Sequence, residues 1–303
     1  MTLLSASLCC LGQSLDWGII SLCCVHLRAE ARHASEMVTQ AVMGTPVKVI
    51  ATQDEWYKIV TPEGYEAWVH PQSISLRSED AMQQWQNSER YIYTNISGYI
   101  YQTPRENAMP ISDIVLGCIV ERTGASANGF IKVSTPDGRH GFVRTGEVKM
   151  LSDWARQQPD MNRLEREARM MMGTTYLWGG MSVKGADCSG FTKLLYFSQG
   201  IILQRDASQQ ATTGEAIDFS CIDNLQRGDL LFFGNNEGHI NHVAIYLSKG
   251  MYIHSSGYVK LNSLIVGDLR YNNQPILAAR RILSAVDSEG ITSVCRHPWY
   301  FKQ

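Results

Sequence analysis

Three side chains in this sequence have the types needed for thiol-based acyl transfer: Cys188, His242 and His254. A sulfur nucleophile needs an imidazole to take its proton and later deliver it to the leaving group. That imidazole needs a polar group on its other nitrogen to fix its tautomer. Cys188 stands in Asp187-Cys188-Ser189-Gly190, directly after a strand-like, Gly-broken lead from Tyr176. Phe191, Leu194 and Leu195 follow at the i, i+3, i+4 spacing of a buried helix face. Cys188 therefore falls on the first turn of a helix, with Asp187 as its N-cap. The unpaired N–H groups and the positive dipole end there favour a thiolate over a thiol. A structural cysteine, the competing reading, would sit mid-helix among Leu and Val.

His242 opens the segment His242-Val243-Ala244-Ile245-Tyr246-Leu247, which alternates as a strand. Val243, Ile245 and Leu247 face one side; His242, Ala244 and Tyr246 face the other. His254 lies in the next strand, after Ser248-Lys249-Gly250. A three-residue loop there, with Gly250 left-handed, sets His254 opposite Ala244 and on the face of His242. A two-residue turn would send the rings to opposite faces. Ala244 between them is small and leaves room for the Cys188 helix to approach. A lone His at a strand end is more often a surface or satisfied core residue, and His239 fits a loop. Zinc held by Cys188, His239, His242 and His254 lacks local ligand spacing. Neither a metal nor an organic cofactor is expected.

The elements that must hold these residues come from a chain of 303 residues, too long for one ordinary core. With 27 basic and 29 acidic side chains and no Lys/Arg block, nothing points to nucleic acid. No stretch reaches the length of a membrane span. The eight cysteines include two adjacent pairs and no CxxC, so they read as neither a disulfide framework nor a zinc ribbon. Met1 to Gly12 is apolar and small but lacks a basic lead. Residues 1–16 are read as a shortened export signal or an apolar first strand. A periplasmic or secreted protein is expected, with a cytoplasmic one as the alternative.

From Trp17 the pattern is short strands with turn punctuation, as in a small barrel. Lys58-Ile59-Val60-Thr61-Pro62-Glu63-Gly64 is echoed by Lys132-Val133-Ser134-Thr135-Pro136-Asp137-Gly138, which marks an internal duplication. The copies span 17–76 and 91–150, joined by a partly helical linker at 77–90. Residues 151–284 form the third unit, opened by a helix over Asp160 to Met172. A tail at 285–303 carries no usable pattern. Both copies resemble bacterial SH3-like domains; the second has Phe130 and Phe142 where the first has Trp.

The segments Trp178-Gly179-Gly180, Asp187-Cys188-Ser189-Gly190-Phe191, Gly228-Asp229-Leu230-Leu231-Phe232-Phe233 and His242-Val243-Ala244-Ile245-Tyr246 together resemble the NlpC-type family. These are papain-like cysteine peptidases that cut bacterial cell-wall peptides. The resemblance implies an α+β fold: two SH3-like β-barrels, then a papain-like domain whose central antiparallel sheet packs on the Cys-bearing helix. It implies Cys188 as nucleophile, His242 as base and His254 as orienting residue. Tyr176 and the Cys188 N–H are candidate oxyanion donors. With the barrels included, the chain is most similar to γ-D-glutamyl-L-diamino acid endopeptidases, in which the first barrel closes the cleft around a free N-terminal L-Ala. The matching substrate-binding positions are Glu36, Tyr65, Trp178, Asp187, Ser189, Asp206 and Ala207. Glu36 stands two places early, and Ala207 replaces a Ser, with Ser208 next. Asp187 and Glu36 would pair with the substrate ammonium. The implied partners are peptidoglycan-derived peptides, and a monomer is expected. Two rival readings stay open: a hydrolase of intact wall anchored by its barrels, and a non-catalytic wall-binding protein.

Overall fold

The structure, a computed structural model, describes residues 16–302. The expected export signal falls on residues outside that range, apart from Asp16. Seven strands build the first sheet: β1 (Trp17–Ile20), β2 (Cys24–Arg28), β3 (Met37–Val42), β4 (Pro46–Gln53), β5 (Trp56–Val60), β6 (Glu66–Val69) and β7 (Ile74–Arg77). After helix α1 (Glu79–Asn87), capped by Ser78, come β8 (Arg90–Tyr93), β9 (Ser97–Tyr101), β10 (Pro110–Val115), β11 (Ile119–Arg122), β12 (Phe130–Ser134), β13 (His140–Arg144) and β14 (Val148–Met150). The spatial orders are β3-β2-β6-β5-β4-β1-β7 and β10-β9-β13-β12-β11-β8-β14. The second is the first with every strand advanced by seven, so the sequence echo is a duplication of topology. Phe130 fills the place of Trp56, and both are buried.

Short helices α2 (Leu151–Ala155) and α3 (Met161–Met170) lead into the third unit, α3 beginning at its cap Asp160. The lead to Cys188 is a loop with a small hairpin, β15 (Met181–Ser182) and β16 (Gly185–Ala186). Helix α4 (Cys188–Ser198), β17 (Ile201–Leu203) and α5 (Ala207–Gln210) come next. A six-stranded antiparallel sheet is built from β18 (Glu215–Ala216), β19 (Leu230–Gly234), β20 (Ile240–Ser248), β21 (Met251–Ser256), β22 (Tyr258–Ser263) and β23 (Ile276–Arg281), in the order β18-β23-β19-β20-β21-β22. Helix α4 packs on the face of this sheet that carries Val243, Ile245, Ile253 and Val259. No helix among the described residues is long and apolar enough to cross a membrane.

Two features depart from the sequence reading. Helix α4 is not amphipathic in its setting, because all of its residues are buried, Thr192 and Lys193 included. The first barrel covers its back. There the Lys193 ammonium pairs with Glu63 at 3.2 Å, the two side chains 7% and 4% exposed. Glu63 lies in the turn just before Tyr65, so the nucleophile helix and that hairpin are tied directly. The second departure is the tail. Its strand β24 (Ile291–Ser293) pairs with β17, and Val294 and Tyr300 enter a core shared with Trp17, Trp85, Trp154 and Phe197. His297 donates from Nε2 to the Pro62 carbonyl at 3.0 Å, pinning the same turn from the other side.

Breaking a buried ion pair from one side leaves an uncompensated charge, which costs far more than removing both partners. Glu63→Gln is therefore expected to lower the unfolding free energy by about 3–5 kcal/mol, and Glu63→Leu with Lys193→Met by much less. Urea denaturation measures both. Equal losses would contradict a dry, paired interface.

Candidate active site

Helix α4 begins at Cys188 because Asp187 caps it: Oδ1 accepts from the Gly190 N–H at 2.7 Å. The same carboxylate holds the preceding turn, Oδ2 accepting from the Gly179 N–H at 2.9 Å. Two glycines permit the close approach. A Cβ on Gly190 would fall 2.0 Å from the Gly180 carbonyl oxygen. One on Gly179, whose φ is +76°, would fall 2.3 Å from the Met37 carbonyl oxygen in the first barrel. The Trp-Gly-Gly and Asp-Cys-Ser-Gly signatures are thus the two sides of one tight contact.

Arg205, which sequence reasoning missed, completes the arrangement. Its Nη1 and Nη2 donate to Asp187 Oδ1 and Oδ2 at 3.2 and 2.5 Å, Nη1 also to Ser189 Oγ at 2.9 Å, and Nε to Thr39 Oγ1 at 2.7 Å. It is 1% exposed. The only signal was a basic residue beside a candidate acid, Asp206. These bonds occupy both oxygens of Asp187. The carboxylate also lines the cavity.

The histidines share a face, by a different device from the expected loop. Lys249 and Gly250, with φ of +50° and +77°, form a two-residue turn closed by the Ser248–Met251 pair. A bulge at Leu247 then restores the register Tyr246–Tyr252 and Ile245–Ile253. The two shifts cancel. His242 Nε2 lies 2.6 Å from His254 Nδ1, and the ring centroids are 4.8 Å apart. Ala244 does not serve as the gap for the Cys188 helix: it shares the imidazoles' face with Phe233 and Tyr252, the side of the sheet away from α4. The sulfur lies instead close to the backbone of β20 beside His242, since the Val243 N–H acts on the thiol and favours its charged form.

A proton map follows from the fixed donors. The Arg270 carbonyl can only accept, so the Asn262 group 2.7 Å from it is the amide nitrogen. Asn262 Oδ1 then accepts from His254 Nε2–H at 2.9 Å. His254 Nδ1 is left bare and accepts from His242 Nε2–H, which leaves His242 Nδ1 as the free base. Asn262 is a second residue the sequence did not disclose, since it joins the relay only through the β21–β22 register.

Burial sets the charge states. It lowers His242 to about 3, helped by His254 and Lys260, and His254 to about 4, opposed by Asn262. Burial and then Asp187 push the Cys188 thiol up to about 11, against the N–H groups of Val243 and Ser189. The thiolate expected from the helix terminus alone is therefore overturned: at pH 7 the resting pair is thiol and neutral imidazole.

One cavity of about 320 Å³, partly open to solvent, is lined by Glu36, Tyr65, Tyr176, Trp178, Asp187, Cys188, Ser189, Asp206 and Ala207, with Arg205 and Ser208. The structure thus brings together the candidate nucleophile, the candidate oxyanion donor and every candidate substrate contact. Glu36 Oε1 accepts from Trp178 Nε1 at 2.6 Å, joining barrel and cleft. Burial and the Cys188 and Asp187 charges raise the Tyr176 hydroxyl to about 12, so it remains a proton donor at neutral pH. His239 stands apart, beside Glu237 on an exposed loop.

A papain-like arrangement on an antiparallel sheet, preceded by SH3-like barrels, defines the class of protein. Residues 173–280 match the NlpC/P60 family and residues 25–75 the bacterial SH3 domain. A gamma-D-glutamyl-L-lysine dipeptidyl-peptidase of Bacillus cereus is 30% identical over 241 residues, covering 74% of this chain and 68% of that one. One of the same name from Bacillus subtilis is 28% identical over 256 residues, 81% of each chain. A crystal structure of an NlpC/P60 family protein from Bacillus cereus superimposes with a TM-score of 0.73 at 22% identity, over 88% of this chain and 99% of that one. The chain belongs to the NlpC/P60 family, and it is a hydrolase of the cysteine peptidase type.

The neutral imidazoles carry a pH dependence whose sign is fixed. Their folded pKa values, about 3 and 4, lie below the ordinary 6.5. Above pH 6.5 their contribution to stability is fully present. As pH falls from there towards 3–4 only the unfolded chain takes up protons, and stability is lost. Each ring adds at most about 1.4 kcal/mol per pH unit to that slope. Urea unfolding between pH 7 and pH 5 should give a shallower slope for His254→Gln, and an unchanged slope would contradict a ring held neutral.

Proposed function

We propose that this enzyme hydrolyses the γ-D-glutamyl-L-diamino acid bond of peptidoglycan stem peptides that carry a free N-terminal L-Ala, releasing L-Ala-γ-D-Glu. The observation that carries this reading is the lid: Glu36 and Tyr65 from the first barrel line the same cavity as Cys188. A cleft closed on that side accepts a short peptide and excludes a longer one. An ammonium taken out of water there needs carboxylate partners. Glu36 and Asp206 supply them, since Asp187 is occupied by Arg205. Burial raises Asp206, against the pull of Arg205, so a bound cation would favour its charged form.

Cys188 attacks the γ-carbonyl of D-Glu as His242 Nδ1 takes the thiol proton. The Cys188 N–H and the Tyr176 hydroxyl receive the oxyanion. His242 returns the proton to the departing α-amine of the diamino acid, and a thioester to Cys188 remains. Water, deprotonated by His242, then releases the dipeptide acid and restores the thiol. Proton transfer within the attack step suits a pair that rests neutral. His254 and Asn262 hold His242 in the productive tautomer throughout. Lid and nucleophile come from one chain, so a monomer suffices for this activity.

L-Ala-γ-D-Glu-L-Lys should be cleaved, and its N-acetylated form at least roughly a hundredfold more slowly, as expected for a lost charge-assisted contact in a desolvated site. Cys188→Ala should abolish turnover while still binding the tripeptide. Equal rates on the two peptides, read by chromatography of the released dipeptide, would overturn the amine clamp.

A further inference from the structure

The face of the sheet that carries the imidazoles also carries a cation to which hydrolysis assigns no part. Lys260 on β22 stands directly across from His254 on β21, and directly opposed residues of an antiparallel pair project from the same face. Its ammonium rests 5.3 Å from the Tyr258 ring centroid, and no described carboxylate forms an ion pair with it. The side chain is half-buried. Its charge lowers the pKa of both His242 and His254. A cation beside a base that must become imidazolium during turnover opposes the reaction unless an anion joins it.

The position supplies a use. Strand β22 is the edge of the sheet, and its start lies beside the candidate oxyanion donor. Tyr176 N–H donates to the Gly257 carbonyl at 3.0 Å, and Thr175 bridges Tyr258. Glu36, Tyr65 and Asp206 occupy the barrel side of the cleft, where the dipeptide would sit. The amine half of the scissile bond therefore extends past the imidazoles towards β22. In a free stem tripeptide that half is a diamino acid, with a carboxylate one carbon from the departing nitrogen. Building on the substrate reading above, we propose that Lys260 pairs with this carboxylate. The enzyme then prefers peptides that end at the diamino acid over those that continue beyond it. Pairing would also neutralise the charge that opposes protonation of His242.

The test is kcat/KM on L-Ala-γ-D-Glu-L-Lys with a free C-terminal carboxylate and with a C-terminal amide, for the unaltered enzyme, Lys260→Met and Lys260→Arg. Amidation should slow the unaltered enzyme by about ten- to hundredfold. Lys260→Met should abolish the preference, so that acid and amide are cut at the same rate; Lys260→Arg should keep it. A protein merely weakened in its fold would lose both substrates alike. The inference is overturned if the unaltered enzyme cuts acid and amide equally, or if Lys260→Met preserves their ratio. Cleavage of neither peptide by the unaltered enzyme would overturn the substrate assignment, and this inference with it.

Discussion

The Asp187 carboxylate, held by Arg205 in the dry seam between barrel and catalytic unit, is the interaction on which the site depends. One charged group caps the helix that begins at Cys188, ties down the turn that carries Trp178, and engages a guanidinium that reaches Ser189 and Thr39. A bidentate pair so placed is expensive to desolvate and is offset only because nearly every donor and acceptor is matched. The return is geometric. Sulfur, cleft wall and lid are referred to one point, and none can shift without breaking a buried charged contact. The Lys193–Glu63 pair repeats the device one and a half turns further along the same helix, and the tail reinforces it through His297 and Pro62.

Enclosure has a consequence for the chemistry. The packing that fixes Cys188 and the imidazoles also removes water from them, and burial drives thiol and imidazole alike towards their neutral forms. Such a site does not store a charge-separated pair. On the mechanism proposed above it makes one only as the carbonyl carbon is attacked, beside the candidate oxyanion donors Tyr176 and the Cys188 N–H. The relay through His254 to Asn262 keeps a lone pair on His242 Nδ1 ready, and its far end is anchored by the Arg270 backbone carbonyl, which can only accept.

Features written in local periodicity were legible in the sequence. The head-of-helix position of Cys188 follows from a cap and three apolar residues, and the duplicated barrels from a repeated hairpin. The common face of His242 and His254 was a matter of parity, and parity survived although the turn was misread. A two-residue turn plus one bulge shifts the strand by the same amount as the three-residue loop. Arg205, Lys193 and Asn262 were not legible, because each gains its meaning from a partner brought near only by the fold. Lys193 lies off the Phe191, Leu194 and Leu195 face and is buried only because the first barrel covers it. The tail had no period to read, since it fills a crevice between units and obeys their shape. The thiolate expectation failed for a related reason: helix geometry is local, whereas desolvation belongs to the whole assembly.

The account turns on a covalent bond between Cys188 sulfur and the glutamyl γ-carbonyl during turnover. Mixing enzyme with L-Ala-γ-D-Glu-L-Lys, quenching in acid within milliseconds and mapping peptides by mass spectrometry tests it most directly. A dipeptidyl adduct confined to the peptide containing Cys188, rising before the steady state and lost on treatment with hydroxylamine, is the predicted result. An adduct on a different side chain, or dipeptide released at full rate while Cys188 stays unmodified at every time point, would contradict it.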